Sequence, residues 1–244
     1  CTFTPTVPFK NGEVVTVTLT KNIQSADSIY FLSGYSWQFR IKVLGGPKAF
    51  VTGTTTSTGS SPFDIVVFDA DMDGDADVVS ANWIASTFTV LKNDGIGNFT
   101  GADYPAGGQL MSISNGDYDG DGDVDIVLGV YGGAGFYQAF WIKLNNGSGV
   151  FSDGQRIDVN MFVESIVSVD VDNDGDIDLA LGSNEDGIIQ IYKNNGNGTF
   201  SLHQTISSPF SSGVKLTAGH FSSNGFIDLI AGFSSGWGVL TNTY

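Results

Sequence analysis

The sequence has little of several features that define common protein classes. Cys1 is the single cysteine among 244 residues, so no disulfide can form within the chain. Only 10 lysines and arginines oppose 26 acidic residues, and the net charge of −16 argues against binding to nucleic acid or to an anionic membrane. No apolar run approaches the roughly 20 residues of a membrane-spanning helix. The two histidines, His203 and His220, show neither a metal-binding nor a catalytic-triad spacing. Carboxylates are therefore the chemically active groups that remain.

The acidic residues are concentrated in three short segments of the form D-x-D-x-D-G-D-x-D. These loops span residues 69–77, 117–125 and 170–178 and hold 15 of the 26 acidic residues. Calcium is a hard cation that takes six to eight oxygen ligands, and a short loop supplies them when it curls around the ion and alternate residues point inward. We number the residues of each loop 1 to 9. The spacing predicts one Ca²⁺ site in each of the three loops.

Each loop position has a distinct predicted role. Aspartates at positions 1, 3 and 5 bind the ion, glycine at position 6 permits a sharp turn, position 7 offers its backbone carbonyl, and the aspartate at position 9 closes the shell. The predicted metal-binding residues are Asp69, Asp71, Asp73, Asp75 and Asp77; Asp117, Asp119, Asp121, Asp123 and Asp125; and Asp170, Asp172, Asp174, Asp176 and Asp178.

An EF-hand, a solvated turn and a magnesium site each fit the acidic loops less well. Position 12 is Ser80, Leu128 or Leu181 instead of the glutamate of an EF-hand, so strands are expected to flank the loops. A solvated acidic turn does not account for glycine at position 6 in all three copies, and Mg²⁺ prefers a strict octahedron with retained water. Without metal the crowded carboxylates would repel one another, so the loops are expected to loosen when calcium is removed.

The loops belong to an internal repeat of about 50 residues. Apolar runs precede and follow each loop, and each unit then ends in a strand-like stretch with an Asn-Gly or Gly-x-Gly turn, which is typical of a β-hairpin. A fourth copy begins at His220 and keeps Gly225 and Asp228 but lacks most carboxylates, so it is expected to keep the turn without the ion. No segment keeps a helical period. Each unit is predicted to form about one four-stranded blade of an all-β propeller.

These repeats resemble the FG-GAP/VCBS family, whose calcium-loop propellers include the head of integrin α subunits. The resemblance covers residues 62–244 and implies calcium-braced blades in a propeller of extracellular type. The sequence departs from that family in its blade count, because four units are visible and such propellers usually close with about six to eight. We therefore expect either further blades or neighbouring chains to complete the structure.

The N-terminal part differs in character. Residues 1–43 alternate apolar and polar side chains over Val15–Leu19 and Trp37–Val43, as half-buried antiparallel strands do. This segment resembles the closing half of a bacterial Ig-like domain. Residues 44–61 are rich in Thr, Ser and Gly, which is typical of a flexible or O-glycosylated linker. Because no signal peptide is visible, Cys1 is either the acylated first residue of a mature lipoprotein or a cysteine that happens to begin the segment.

Nothing in the sequence points to catalysis. Every close pair of aspartates is already assigned to a calcium loop, and the G-x-S-x-G match at residues 232–236 lacks the strand-to-helix context of a nucleophile elbow. We therefore predict a protein that is not an enzyme. Several aromatic residues could stack on sugars or fill the gaps between blades: Trp83, Tyr131, Phe136, Tyr137, Trp141 and Trp237. Asn98, Asn146 and Asn197 begin N-glycosylation sequons.

Three functions compete on these observations. The first is an extracellular or cell-surface structural module of bacterial origin, a surface or filament-forming subunit stabilised by Ca²⁺ and completed by neighbouring copies or other surface proteins. The second is a carbohydrate-binding or adhesion module with a glycan ligand. The third is a domain of a polysaccharide-degrading enzyme, which is supported only by analogy with other proteins on this scaffold.

Overall fold

A computed structural model describes residues 14–19, 35–40, 53, 55–132, 138–183, 185–207, 214–234 and 236–243. The chain divides into two compact units, residues 1–53 and 54–244. In the first unit, β1 (Val14–Leu19) pairs antiparallel with β2 (Tyr35–Arg40). The other residues of the proposed Ig-like segment, Cys1 among them, lie outside the described residues. The Ig-like resemblance therefore stays a prediction.

The second unit is built from four antiparallel sheets, and each sheet is one blade. Strand order within every blade follows chain order, which is the meander that the hairpin turns predict. Blade 1 contains β3 (Pro62–Phe68), β4 (Asp77–Asn82), β5 (Thr87–Asn93) and β6 (Phe99–Pro105). Blade 2 contains β7 (Gln109–Gly116), β8 (Asp125–Tyr131), β9 (Ala139–Asn145) and β10 (Phe151–Asp158).

Blades 3 and 4 repeat the same arrangement. Blade 3 contains β11 (Ser165–Val169), β12 (Asp178–Gly182), β13 (Ile188–Asn194) and β14 (Phe200–Ser207). Blade 4 contains β15 (Lys215–Gly219), β16 (Asp228–Phe233) and β17 (Gly236–Leu240), and these are its described strands. The all-β propeller fold predicted from the repeats is confirmed, and the part of the chain that the structure describes contains no helix.

The hydrophobic core lies between the blades. The first strands contact in series, β3 with β7, β7 with β11 and β11 with β15, so each blade packs on the next in chain order. We call the side of a blade that packs on the following blade its forward face, and the opposite side its rear face. Phe88, Phe140 and Ile189 occupy the same position in the third strands of blades 1 to 3, and all three are buried in the contact with the following blade.

The repeated phenylalanine of the fourth strands completes these contacts. Phe151 of blade 2 makes an edge contact with Phe88 of blade 1, at 5.8 Å between ring centroids. Phe200 of blade 3 contacts Phe140 of blade 2 in the same way, at 6.2 Å. The aromatic residues at these repeated positions therefore serve inter-blade packing.

Residues 55–61, the described end of the predicted linker, lie along blade 1. The backbone amide of Gly59 donates to Thr89 Oγ1 at 3.1 Å, and the amide of Trp83 donates to the Ser61 carbonyl at 2.8 Å. The domain boundaries at residues 43 and 61 otherwise stay predictions. The sequon residues Asn98, Asn146 and Asn197 are exposed in the turns between third and fourth strands, where glycosylation also stays a prediction.

Candidate metal sites

Each acidic loop joins the first strand of its blade to the second, and each gathers three carboxylates. The aspartates at positions 1, 3 and 9 offer oxygens that all lie within 4.8 Å of one another. The three groups are Asp69, Asp71 and Asp77; Asp117, Asp119 and Asp125; and Asp170, Asp172 and Asp178. Such a set of hard oxygen ligands is the donor chemistry that Ca²⁺ prefers. Nine of the fifteen predicted residues are thus brought together in three clusters.

The position 1 aspartate also shapes its loop. Asp69 Oδ2 accepts the amide of Gly74 at 2.9 Å, and Asp117 and Asp170 accept the amides of Gly122 and Gly175 at 3.1 Å. The φ angles at these three glycines are 90°, 96° and 99°, a left-handed conformation that residues with a Cβ rarely adopt. The prediction that position 6 needs glycine for a sharp turn is therefore confirmed.

Position 9 has a second, purely structural contact. Asp125 is fully buried, and its two oxygens accept the amides of Tyr118 at 3.0 Å and Asn145 at 2.8 Å. Asp77 and Asp178 make the same pair of bonds in blades 1 and 3. Position 9 therefore connects the start of the loop to the end of the third strand of its own blade.

The aspartates at positions 5 and 7 lie outside the three-carboxylate clusters. At position 5, Asp121 Oδ1 accepts the amide of Asp123 at 2.9 Å, and Asp73 and Asp174 make the equivalent bond. At position 7, the carboxylates of Asp75, Asp123 and Asp176 lean over the glycine of the Asn-Gly-type turn in the same blade. A Cβ at Gly147 would lie 2.8 Å from the Asp123 oxygens, so that turn needs glycine for a close approach as well as for its φ of 70°.

Several cluster oxygens are buried without a hydrogen-bond donor. Asp71 Oδ1, Asp170 Oδ1 and Asp172 Oδ1 are inaccessible to solvent and accept no hydrogen bond among the described residues. A buried carboxylate oxygen that loses water without gaining a partner is costly. A cation among the three carboxylates removes that cost, so the residues present fit Ca²⁺.

Burial also raises the proton affinity of the clusters. Desolvation raises the pKa of Asp125 to about 6, against the opposing effect of its two backbone hydrogen bonds. Desolvation likewise raises the pKa values of Asp69, Asp119 and Asp178, and neighbouring carboxylates add to each shift. The clusters therefore disfavour their own charge unless a cation is present.

The second cluster differs from the other two in its neighbouring cation. Lys92 Nζ lies 3.4 Å from Asp71, and Lys193 forms an ion pair with Asp172 that holds the pKa of that carboxyl below its ordinary value. Blade 2 has Leu144 at the matching position of its third strand. An internal ammonium group thus partly neutralises the first and third clusters, and the second has none from this strand position.

This difference predicts a difference in calcium affinity. Lys193→Leu, which introduces the residue of blade 2, should tighten calcium binding at the third site, because Ca²⁺ no longer competes with an ammonium group beside Asp172. Removal of one charge about 4 Å away is worth roughly 1 kcal/mol in bulk water, so the change in Kd should be at least about fivefold at this partly buried site. Calcium titration by calorimetry measures the change, and Lys215→Leu, which is distant from the clusters, is the control. An unchanged third-site affinity would contradict the prediction.

The fourth loop shows what remains without the carboxylates. Gly225 keeps the left-handed turn with a φ of 88°, and Asp228 at position 9 accepts the amides of Phe221 at 3.0 Å and Asn242 at 2.9 Å. Among the described residues of this loop, no group of three metal-ligating side chains forms. The expected turn is confirmed, and the absence of an ion from this loop stays a prediction.

A repeated asparagine that the sequence patterns did not predict ties each loop to the next blade. Asn145, at the end of β9, donates from its amide nitrogen to the position 2 carbonyl of the preceding loop, Ala70, at 2.8 Å, and to Val124 of its own loop at 3.1 Å. Asn194 makes the same two bonds, to Tyr118 and Ile177, and Asn242 reaches Val171 of the preceding loop at 2.6 Å. We call this contact the asparagine clamp.

The aromatic and nucleophile candidates from the sequence have mixed positions. Trp83 and Tyr131 are partly exposed and lie 5.1 Å apart between ring centroids. Trp141 packs under Lys143, whose Nζ lies 3.4 Å from the ring centroid. Phe136, Tyr137 and Ser235, the serine of the G-x-S-x-G match, lie outside the described residues. The described residues contain no helix long and apolar enough to cross a membrane.

Comparisons with known proteins agree with this architecture. A family model described as "FG-GAP-like repeat" matches residues 69–128, 117–181 and 170–231. No curated protein sequence matches the chain. Among solved structures, a chain in the crystal structure of BBS1N in complex with ARL6DN, soaked with lead, superposes with a TM-score of 0.50 at 15% identity. The match covers 85% of this chain and 56% of that one, and at this identity it concerns the fold alone.

Proposed function

Because the chain belongs to the family of FG-GAP-like repeat proteins, we propose that it is an extracellular structural module whose blades are stabilised by three Ca²⁺ ions. The three carboxylate clusters carry the proposal, since each places three oxygens within 4.8 Å at the same turn of its own blade. Repeats of this family are typical of extracellular structural and adhesion proteins. Extracellular calcium is abundant enough to fill sites with Kd values of about 10⁻⁴–10⁻³ M.

A cation in each cluster would connect three parts of a blade. Positions 1 and 3 lie in the loop, whereas position 9 begins the second strand and accepts the amide at the end of the third, as Asp125 does with Asn145. The ion would therefore hold the loop onto a position that is already fixed by buried hydrogen bonds. In a chain without internal disulfides, such ions supply cross-links that stabilise the folded state.

Calcium titration tests the proposal directly. We expect three Ca²⁺ per chain, and each occupied site should add about 2.7 kcal/mol to the free energy of unfolding when free calcium is 100 times Kd. Asp119→Asn should remove one ion and its share of the rise in melting temperature, because it deletes a carboxylate from the second cluster. Asp158→Asn is the matched control outside the clusters, since it removes an exposed carboxylate whose surface ion pair with Arg156 is worth at most about 1 kcal/mol. A melting temperature unaffected by strong chelation contradicts the proposal.

The assembly of such modules is the finer part of the proposal. A surface or filament-forming subunit needs contacts with other copies or with other surface proteins. Support comes from blades 1 and 4, whose outward faces carry exposed apolar side chains such as Ile65 and Trp237. Exposed apolar patches of this kind are typical of interaction surfaces. Imaging in millimolar calcium and after chelation should show ordered assemblies in the first condition and their loss in the second.

A second candidate function, carbohydrate binding or adhesion, is favoured by an aromatic strip. Tyr131 stacks on Phe162 at 5.1 Å and contacts Trp83, which in turn lies 6.1 Å from Phe63. The rings lie at the strand ends opposite the acidic loops, because Trp83 directly follows the last residue of β4 and Tyr131 is the last residue of β8. Aromatic faces with partial exposure can stack on sugar rings. Retention on a glycan array that Trp83→Ala abolishes and Trp141→Ala preserves would support this function.

An enzymatic role as a polysaccharide-degrading domain has no comparable support. Among the described residues, the closely spaced carboxylates are those of the metal clusters. Repeats of this family are typically structural or adhesive. We therefore place the protein among binding and structural modules.

A further inference from the structure

The rear face of blade 1 carries a row of exposed apolar side chains. Phe63, Ile65 and Val67 alternate along β3 and are 57%, 58% and 57% exposed. In the other blades the matching positions are buried or half-buried, because the preceding blade packs on them. Ile113 of blade 2, which corresponds to Ile65, is 5% exposed, and Val214, which corresponds to Phe63 and directly precedes β15 of blade 4, is 1% exposed. The row on β3 is thus one side of an inter-blade contact. In the other blades, a preceding blade packs against this side.

The forward face of blade 4 is the complementary half. Trp237 and Val239 on β17 are 70% and 43% exposed. The matching residues of blade 1, Phe88 and Val90, are each 1% exposed because blade 2 covers them. The side chains of Trp237 and Val239 are therefore solvent-exposed at the positions that are buried between blades elsewhere in the chain.

The polar groups of the two faces are complementary as well. Asn93 of blade 1 donates to Ala76 of its own loop at 3.1 Å, as Asn145 and Asn194 do to theirs, but no acidic loop precedes it among the described residues. At the other face, the position 2 carbonyl of the fourth loop belongs to Phe221. No clamp asparagine in the described part of the chain reaches that carbonyl. Blade 1 thus has a clamp asparagine, Asn93, without a preceding loop to bind. Blade 4 has a loop carbonyl, that of Phe221, without a clamp asparagine among the described residues.

We propose that the forward face of blade 4 packs on the rear face of blade 1 of a second copy of this chain. The contact reproduces the inter-blade interface that the chain already makes three times, with Trp237 in the place of Phe88 and Asn93 clamping the Phe221 carbonyl. This inference deepens the proposed structural function and rests on it, because it names the surfaces through which copies assemble. A head-to-tail contact closes into a ring if its rotation permits.

An engineered cross-link tests the contact at a single pair of positions. In the contact between blades 2 and 3, Ser114 Oγ and Ser168 Oγ lie 2.8 Å apart. The corresponding residues across the proposed interface are Thr217 of one copy and Val67 of the other, and both are exposed in the single chain. Thr217→Cys and Val67→Cys, combined with Cys1→Ser to remove the native thiol, should form an intermolecular disulfide under mild oxidation, because the side-chain ends of the reference pair are in contact.

The expected product is a covalent dimer of twice 25.8 kDa on a non-reducing gel, formed in calcium at micromolar protein. Val67→Cys with Leu202→Cys, a similarly exposed position on the outer strand β14, is the control and should give little dimer. Sedimentation of the unmodified chain should show a dimer that Trp237→Asp and Ile65→Asp each dissociate. Since both side chains are exposed in the single chain, neither variant should alter its circular dichroism spectrum.

Three results would overturn the inference: a monomer at all concentrations, a disulfide closed within one chain, or equal cross-linking of the control pair. Calcium stoichiometry measured on the same samples separates this failure from failure of the proposed function. A monomer that binds three Ca²⁺ and is stabilised by them refutes only the pairing of copies. A chain that binds no calcium refutes the function on which the pairing rests.

Discussion

Asp125→Ala is expected to lower the free energy of unfolding by about 2–4 kcal/mol even when all calcium is chelated. The carboxylate is fully buried, and its loss leaves the amides of Tyr118 and Asn145 without an acceptor. Each buried donor left unpaired costs about 1–3 kcal/mol. Burial raises the pKa of Asp125 to about 6, so at pH 7 its charge destabilises the folded state. The substitution removes that charge, which offsets part of the loss in stability. Urea unfolding in excess chelator measures the difference.

Asp119→Ala in the same loop is the matched comparison. Asp119 lies in the same cluster but is only partly buried, and its pKa is raised by desolvation and by the neighbouring carboxylates. In chelator its removal should change the free energy of unfolding by less than about 1 kcal/mol, since it also relieves repulsion. In calcium, both variants should lose the second ion. Equal destabilisation of the two variants in chelator would show that position 9 has no structural role beyond metal binding.

The fourth blade already indicates the outcome. His220, Ser222 and Asn224 replace the aspartates at positions 1, 3 and 5, yet Asp228 keeps position 9 and its bonds to the amides on either side. A residue that served only the ion would have no reason to persist in a loop without a metal cluster. Position 9 thus keeps its structural hydrogen bonds in a loop that lacks the aspartates of positions 1, 3 and 5.

The sequence predicts the loops well because both of their requirements are local. Carboxylates at alternate positions and a left-handed glycine are properties of nine consecutive residues, and the structure places Gly74 and its counterparts in that conformation. Strand order follows for the same reason, since short turns such as that around Gly147 force neighbouring strands to pair. The all-β blades could therefore be predicted from spacing and turn residues alone.

The spacing does not predict all the contacts that the aspartates at positions 5 and 7 of each loop make. Spacing assigns the position 5 carboxylate and the position 7 carbonyl to the ion, but it does not show what else these residues contact. Asp121 Oδ1 accepts the amide of Asp123, and the carboxylate of Asp123 leans over Gly147 of the next turn. These orientations depend on the hairpin that packs beside the loop, which is more than twenty residues further along the chain.

The asparagine clamp is hidden for a related reason. Asn145 and Asn194 are followed by residues of an obvious turn, Asn145 by Asn146-Gly147 and Asn194 by Asn195-Gly196, so turn formation already accounts for asparagine there. Their contacts to the preceding loop span 75 and 76 residues, which no local pattern reveals. The hint in the sequence was the repetition itself. Asparagine ends the third strand in blades 1 to 3, at Asn93, Asn145 and Asn194, and Asn242 stands at the same repeat position two residues after β17.

Asn194→Ala is therefore expected to weaken the contact between blades 2 and 3 and to lower the free energy of unfolding by about 2–3 kcal/mol. The amide group is buried and donates to the Tyr118 carbonyl of the preceding loop at 2.8 Å and to the Ile177 carbonyl of its own loop at 3.2 Å. The substitution leaves one buried carbonyl in each loop without a donor, which costs about 1–3 kcal/mol of stability for each carbonyl. The smaller side chain also leaves a gap between the two loops. Urea unfolding in saturating calcium measures the loss.

Asn93→Ala is the control, because the Asn93 amide nitrogen donates to the Ala76 carbonyl of its own loop, at 3.1 Å near the surface, and to no preceding loop among the described residues. Its Oδ1 accepts turn amides, those of Gly95 and Gly97, as Asn194 Oδ1 accepts that of Gly196. It should cost about 0.5–1.5 kcal/mol, because water can replace these exposed hydrogen bonds. An equal cost for the two variants would mean that asparagine acts only on its own turn. A larger cost for Asn194→Ala means that each loop is held from two sides. Its own position 9 aspartate fixes one side and the next blade fixes the other, so that order at a metal site depends on the blade that follows it.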